Sequence, residues 1–138
     1  MKQILTILCI ALLCAQCKKT TEEQPKTDFR DELVGSYRTS SSYRSYAYYP
    51  PRDTTYYNND TIILFVSKFD TASLIFSSDK ASFKTDTLAL YSNDPPLFLY
   101  HYNHDERRAS FGSNQISYSI SSGGQGGGGS LNYTGPKQ

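Results

Sequence analysis

Beyond residue 35, a single window carries apolar residues at i, i+3, i+4 and i+7, formed by Ile62, Phe65, Val66 and Phe69, and Ile63 and Leu64 between them are apolar too, so it has no separate polar face. An amphipathic helix needs that spacing, so helices are excluded from most of the chain. What recurs is alternation with a period of two. Ile62, Leu64 and Val66 interleave with Ile63 and Phe65, and Ile116, Tyr118 and Ile120 interleave with serines. Leu97 and Leu99 fall opposite Phe98, Tyr100 and Tyr102. Turn-forming clusters punctuate these runs: Asn58-Asn59-Asp60, Ser78-Asp79-Lys80, Asn93-Asp94-Pro95-Pro96 and the stretch from Asn103 to Glu106. Side chains of a strand point alternately to its two faces, so this pattern specifies strands.

Strands are predicted over 34–39, 42–49, 53–57, 61–68, 72–77, 81–84, 87–91, 97–102, 107–111, 115–121 and 130–134. The run 61–68 is apolar on both faces and is expected to be buried on both. Before the first strand, Asp28 can cap one helical turn through Asp31 and Glu32, with Gly35 ending it. Short strands joined by turns in sequence order predict an all-β antiparallel meander. Open edges invite self-association, so the sheet must close or pair its edges. A small up-and-down barrel or a strongly curled sheet meets that need, and a two-sheet sandwich is the alternative.

The first nineteen residues are of another kind. Lys2 precedes an apolar run over 4–15. As a helix it would span about 18 Å, short of the roughly 30 Å hydrocarbon core. That length suits the apolar region of a secretory signal. Cys17 stands between this run and Lys18-Lys19. The placement resembles the lipobox of bacterial lipoproteins, in the looser form found in Bacteroidota, with Gln16 and Cys14 at the positions before the cysteine. The resemblance implies a signal peptide over 1–16, acylation of Cys17, and anchoring in the cell envelope at the outer membrane. Which side of that membrane the domain faces is left open. Cys14 is a rival anchor, and a plain secretory signal is the other reading. Cys9, Cys14 and Cys17 are the chain's only cysteines, so cleavage before Cys17 leaves no disulfide and no cysteine-ligated metal. Residues 18–27 are too polar to offset ordering entropy, which predicts a lipidated, disordered tether over 17–27 and a single β domain over 28–138.

Two stretches of the domain resemble a known family. Leu33-Val34-Gly35-Ser36-Tyr37, after one helical turn, resembles the opening of lipocalin-like and fatty-acid-binding barrels, where Gly-x-Trp starts the first strand; here Tyr37 stands for Trp. The C-terminus, with its glycine tract followed by Tyr133, Gly135 and Lys137, resembles that of small uncharacterised Bacteroidota lipoproteins with such folds. The resemblance implies a lipocalin-like barrel and a small ligand, and it brings no activity.

Few residues suggest chemistry. His101 and His104 lie beside Asp105 and Glu106, but residues three apart on a strand point to opposite faces, so an exposed turn is expected there and no metal. The glycines between Gly123 and Gly129 lead into Ser-Leu-Asn-Tyr rather than a helix and lysine, which predicts a mobile hairpin loop instead of a phosphate cradle. Lys and Arg number 14 against 13 Asp and Glu, with no basic stripe, so no nucleic-acid partner is expected. No nucleophile motif or cofactor motif is present, and the chain reads as non-enzymatic with no cofactor.

Tyrosine is the compositional oddity, with twelve in the chain and no Trp. Tyr43, Arg44, Tyr46, Tyr48, Tyr49, Tyr56 and Tyr57 crowd one region and form a candidate binding face. The ordinary reading is that Tyr suits strands and that half of these point inward. The expected function is a membrane-anchored lipoprotein holding a small apolar or saccharide ligand, inside the barrel or at its open end. The alternative is an envelope interaction protein whose Tyr/Arg face docks a protein or glycan.

Overall fold

The protein is described here from a computed structural model, covering residues 27–48 and 50–138. A 3-10 turn over Phe29–Glu32 leads into eight strands: β1 (Gly35–Tyr48), β2 (Pro51–Lys68), β3 (Ser73–Ser78), β4 (Asp86–Asn93), β5 (Pro96–Tyr102), β6 (Asp105–Gly112), β7 (Gln115–Gly124) and β8 (Gly127–Pro136). Each pairs antiparallel with the next, and β8 returns to β1, closing a barrel. The meander and its closure follow the sequence expectation, and barrel rather than sandwich is the outcome.

Several boundaries differ from the expectation, each for a local reason. The runs 34–39 and 42–49 are one strand, because β8 bonds to β1 from Ser40 through Ala47 and bridges the polar serines between them. The runs 53–57 and 61–68 are likewise one strand. Asn58-Asn59-Asp60 is not a turn: Ser40 faces Thr61 and Ser41 faces Asn58, so two residues bulge out of β2 and the strand continues. Residues 81–84 form no strand; they belong to the β3–β4 connection. The glycine tract is mostly strand, since Gly127 to Gly129 open β8 and only Gln125 and Gly126 turn.

The barrel axis is filled. Tyr37, Leu64, Leu74, Phe76, Leu88, Phe98, Ile116 and Tyr118 are almost wholly buried and pack as one cluster with Phe111. Phe76 stacks on Tyr118 at 5.2 Å between ring centroids, and Phe98 meets Phe111 edge to face at 5.8 Å. A barrel has only one interior, so Ile62, Leu64 and Val66 take it and Phe65 is left 44% exposed. The expectation of burial on both faces of that run is corrected accordingly. Outside, β1, β6, β7 and β8 present Arg38, Arg44, Arg108, Ser117, Ser119 and Asn132. That wall is suited to water, whereas a membrane-spanning barrel turns an apolar band outward.

The end holding the 3-10 turn is closed. Asp28 caps the turn by accepting from the Arg30 backbone N–H at 3.0 Å. Hydrogen bonds from Arg30 and then Lys68 hold its carboxyl well below the usual carboxylate range. Arg30 is itself buried and donates to the carbonyls of Asp70 and Ser73, tying the turn to the β2–β3 connection. Phe29 and Leu33 pack on the core from this end. At the opposite end six strands (β5 to β8, β1 and β2) rise past the shorter β3–β4 pair, whose connection lays Phe83 against Tyr118 and Tyr133 at 5.6 and 5.7 Å.

Candidate ligand-binding site

The inward register of the six rising strands carries the site. Phe98, Ala109, Tyr118 and Tyr133 form one row of paired residues across β5 to β8, and with Phe83 they make a floor. The row above runs Tyr100, Arg107, Ile120, Leu131, Tyr43, Tyr56, each residue paired with the next. Above that come Tyr102, Asp105, Ser122, Gly129, Ser45 and Thr54. Opposed residues share a face, so these rows line the inside of a cup. The third row is small between its ends, which leaves the tyrosine rings of the second uncovered. Tyr43, Tyr56, Tyr100 and Tyr102 are all exposed, although they sit on the face that is core lower down.

Polar contacts fix the cup from beneath. Tyr118 donates its hydroxyl to Asp86, and Arg107 pairs with the same carboxylate. Asp86 is 4% exposed, so a chain of partners is required to hold its charge there. Burial, reinforced by the Asp86 bond, pushes the Tyr118 hydroxyl far above its ordinary value. Arg107 in turn holds its guanidinium 5.5 Å from the centre of the Tyr100 ring. Its Nε is buried without a partner. The line Tyr118–Asp86–Arg107–Tyr100 thus links the packed core to an exposed ring. Across the cup, Tyr43 and Tyr56 stack at 6.5 Å with only 22° between their planes.

The tyrosine-rich segment is divided by strand alternation. Tyr43 and Tyr56 face into the cup. Arg44, Tyr46 and Tyr48 face out, where Arg44 pairs with Asp53 and the Tyr46 and Tyr48 rings meet at 5.7 Å. Tyr46 lies across the glycine tract: a Cβ at Gly128 would come within 2.7 Å of its hydroxyl, and one at Gly123 within 2.6 Å. The bare glycines make the bed for that ring. Tyr49 and the side chain of Tyr57 lie outside the described residues, as do residues 1–16, Cys17 and the tether up to residue 26. The side chain of His101 is 66% exposed, its Nδ1 3.9 Å from Glu106. Among the described residues no three potential metal ligands converge.

Tyr100, Tyr102, Asp86 and Arg107 were not marked by the sequence pattern. Alternation alone sets Tyr100 and Tyr102 on the face of buried Phe98. What it could not give is the register that sets Arg107 beside Tyr100 and aligns both with Tyr43 across β7 and β8.

Surface clefts accompany the cup. One of about 310 Å³ lies at the closed end between Leu33, Tyr37, Pro96, Phe111 and the Ser113-Asn114 turn. Another of about 470 Å³ lies at the tip of the β1–β2 hairpin, lined by Arg44, Tyr46, Tyr48, Arg52 and Asp53. Comparison with known protein families, with curated proteins and with solved structures found no match to this chain.

Proposed function

We propose that this is a lipid-anchored lipoprotein of the cell envelope, related to the small Bacteroidota lipoproteins with lipocalin-like domains, that binds a saccharide in the tyrosine-lined cup. The observation that carries the reading is the contrast between a filled axis and an exposed aromatic row directly above it. Side chains occupy the space a buried apolar ligand would need, so the binding surface is at the open end. Sugars suit that surface. The C–H faces of a pyranose carry partial positive charge and pack on the negative face of an aromatic ring. Asp105, Ser122, Ser45 and Thr54 in the next row offer hydroxyl and carboxylate groups to the ring's edges. Rings held by Arg107 and by Tyr43–Tyr56 stacking lose little freedom on binding. The role is binding, with no catalytic residue and no cofactor. Lys2, the apolar run over 4–15 and Cys17 support the anchor.

Binding of the purified protein to an array of bacterial oligosaccharides tests this. Tyr43→Ala with Tyr100→Ala should weaken the best glycan roughly fivefold or more, at about 0.5–1.5 kcal/mol for each aromatic contact. An unchanged affinity in that double variant would sink the proposal.

A second reading has its own observation. The outward group of Arg44, Tyr46 and Tyr48 borders the cleft at the hairpin tip and fits docking of a protein partner. Tyr46→Ala with Tyr48→Ala should abolish capture of that partner and leave glycan binding intact.

A further inference from the structure

Among the described residues, one edge of β2 has no partner strand where the strand rises above the barrel. β1 pairs with the other side of β2 from Pro51 to Val66, apart from the bulge. Among the described residues, β3 pairs with β2 only from Leu64 to Lys68, and Asp79 holds Ile63 just beyond. Residues 51–57 therefore turn a row of backbone groups to solvent, over about 23 Å of strand. Residues 51–56 are all exposed. An edge of this kind is a template for another strand unless uncompensated charges, internal prolines or bulges blunt it. Here Pro51 and the bulge at Asn59 and Asp60 stand at the two ends, and between them the only charges are Arg52 and Asp53, of opposite sign.

We infer that this edge pairs with the same edge of a second copy of the chain, antiparallel about a two-fold axis through Thr54. Opposed residues of an antiparallel pair share a face, so two copies of one strand can be centred only on a residue. Centring on Asp53 sets two carboxylates against each other. Centring on Thr55 sets Arg52 against Asn58, at the bulge. Centring on Thr54 uses residues 51–57 in full. It places Arg52 over Tyr56 of the second copy, twice by symmetry, and Asp53 opposite Thr55. Tyr56 is ready for that contact, because it is 59% exposed and its ring is steadied by Tyr43. Such a pair uses one patch on both partners, and it closes at two copies.

Cross-linking of the full chain tests the register. A Thr54→Cys variant is prepared in two isotopic forms, mixed, and treated with a short bis-maleimide; linked peptides are read by mass spectrometry. The expected product joins position 54 of one copy to position 54 of another. Adding Tyr56→Lys sets like charges opposite each other at Arg52 and should cut that product at least tenfold, with the circular dichroism of the barrel unchanged. A Ser119→Cys variant on the outer wall should give no mixed product. The inference is overturned if position 54 stays unlinked or links to another protein. It is equally overturned if Tyr56→Lys leaves the product undiminished, or if Ser119→Cys links as readily.

Discussion

At the scale of single residues, Asp86 is the position on which most depends. It is an acidic side chain inside a barrel, tolerated because Tyr118 and Arg107 both address it. Tyr118→Phe removes one of those partners and no packing, and should cost about 1–3 kcal/mol in chemical denaturation. Two tyrosines also predict an alkaline limit to stability. Burial pushes Tyr37 up to about 12 and Tyr118 higher still. A phenol raised above its unfolded value of about 10 lends stability that is complete below pH 10 and is lost as pH rises through the folded value. Unfolding followed by circular dichroism should therefore set in above about pH 10. Tyr37→Phe should make that loss shallower, while costing about 1 kcal/mol at neutral pH for the bond its hydroxyl gives to the Leu33 carbonyl at 2.7 Å.

At the scale of elements, the paired rise of β1 and β8 depends on backbone approach that only glycine permits. A Cβ at Gly135 would stand 2.0 Å from the carbonyl oxygen of Arg38, a backbone atom that cannot swing aside. Gly135→Ala should therefore destabilise the barrel by about 1–3 kcal/mol, through the β1–β8 seam that closes it. A melting temperature equal to that of the unmodified chain would show that the seam relaxes instead. At Gly128 the closest neighbours include the Ser122 carbonyl at 2.5 Å, so the tract that looks like a flexible loop is a close-packed part of the sheet. The bulge in β2 has the opposite effect, loosening register where the strand leaves the barrel.

At the scale of the whole molecule, the barrel serves as a stand. Its axis is occupied, one end is shut by the 3-10 turn and Arg30, and the exposed aromatic row is raised at the other. The chain enters the closed end at Thr27, so an anchor at Cys17 would leave the cup pointing away from the membrane. Ten tether residues could extend roughly 33 Å. Cys17→Ser should abolish acyl labelling in cells and shift the protein from the membrane to the soluble fraction; persistence of both label and membrane attachment would remove the anchor from the proposal.

How much was legible follows from the range of the interactions involved. Two-residue alternation and turn clusters are local, and they determined an all-β meander with Ile116 and Tyr118 inward and with Ile62, Leu64 and Val66 sharing one face. The Asp28 cap is local as well. Strand ends were not legible where a partner strand overrode the local signal: Asn58-Asn59-Asp60 looks like a turn until β1 runs past it, and the glycine tract looks like a loop until Tyr46 covers it. Phe83 reads as a strand residue because nothing nearby in sequence shows that its ring packs against Tyr118 and Tyr133. The candidate site divides in the same way. The crowding of tyrosines between Tyr43 and Tyr57 was visible in the sequence, since it is composition. Its division into a cup and an outer face, and the addition of Tyr100, Tyr102 and Arg107 from β5 and β6, came only with the register. The sequence by itself determined the strand character of the chain and the alternation of its faces, because both are set by neighbours along the chain. Only the tertiary structure decided that the axis is filled and the tyrosines meet at one end, because closure between β1 and β8 is a contact between residues some ninety positions apart.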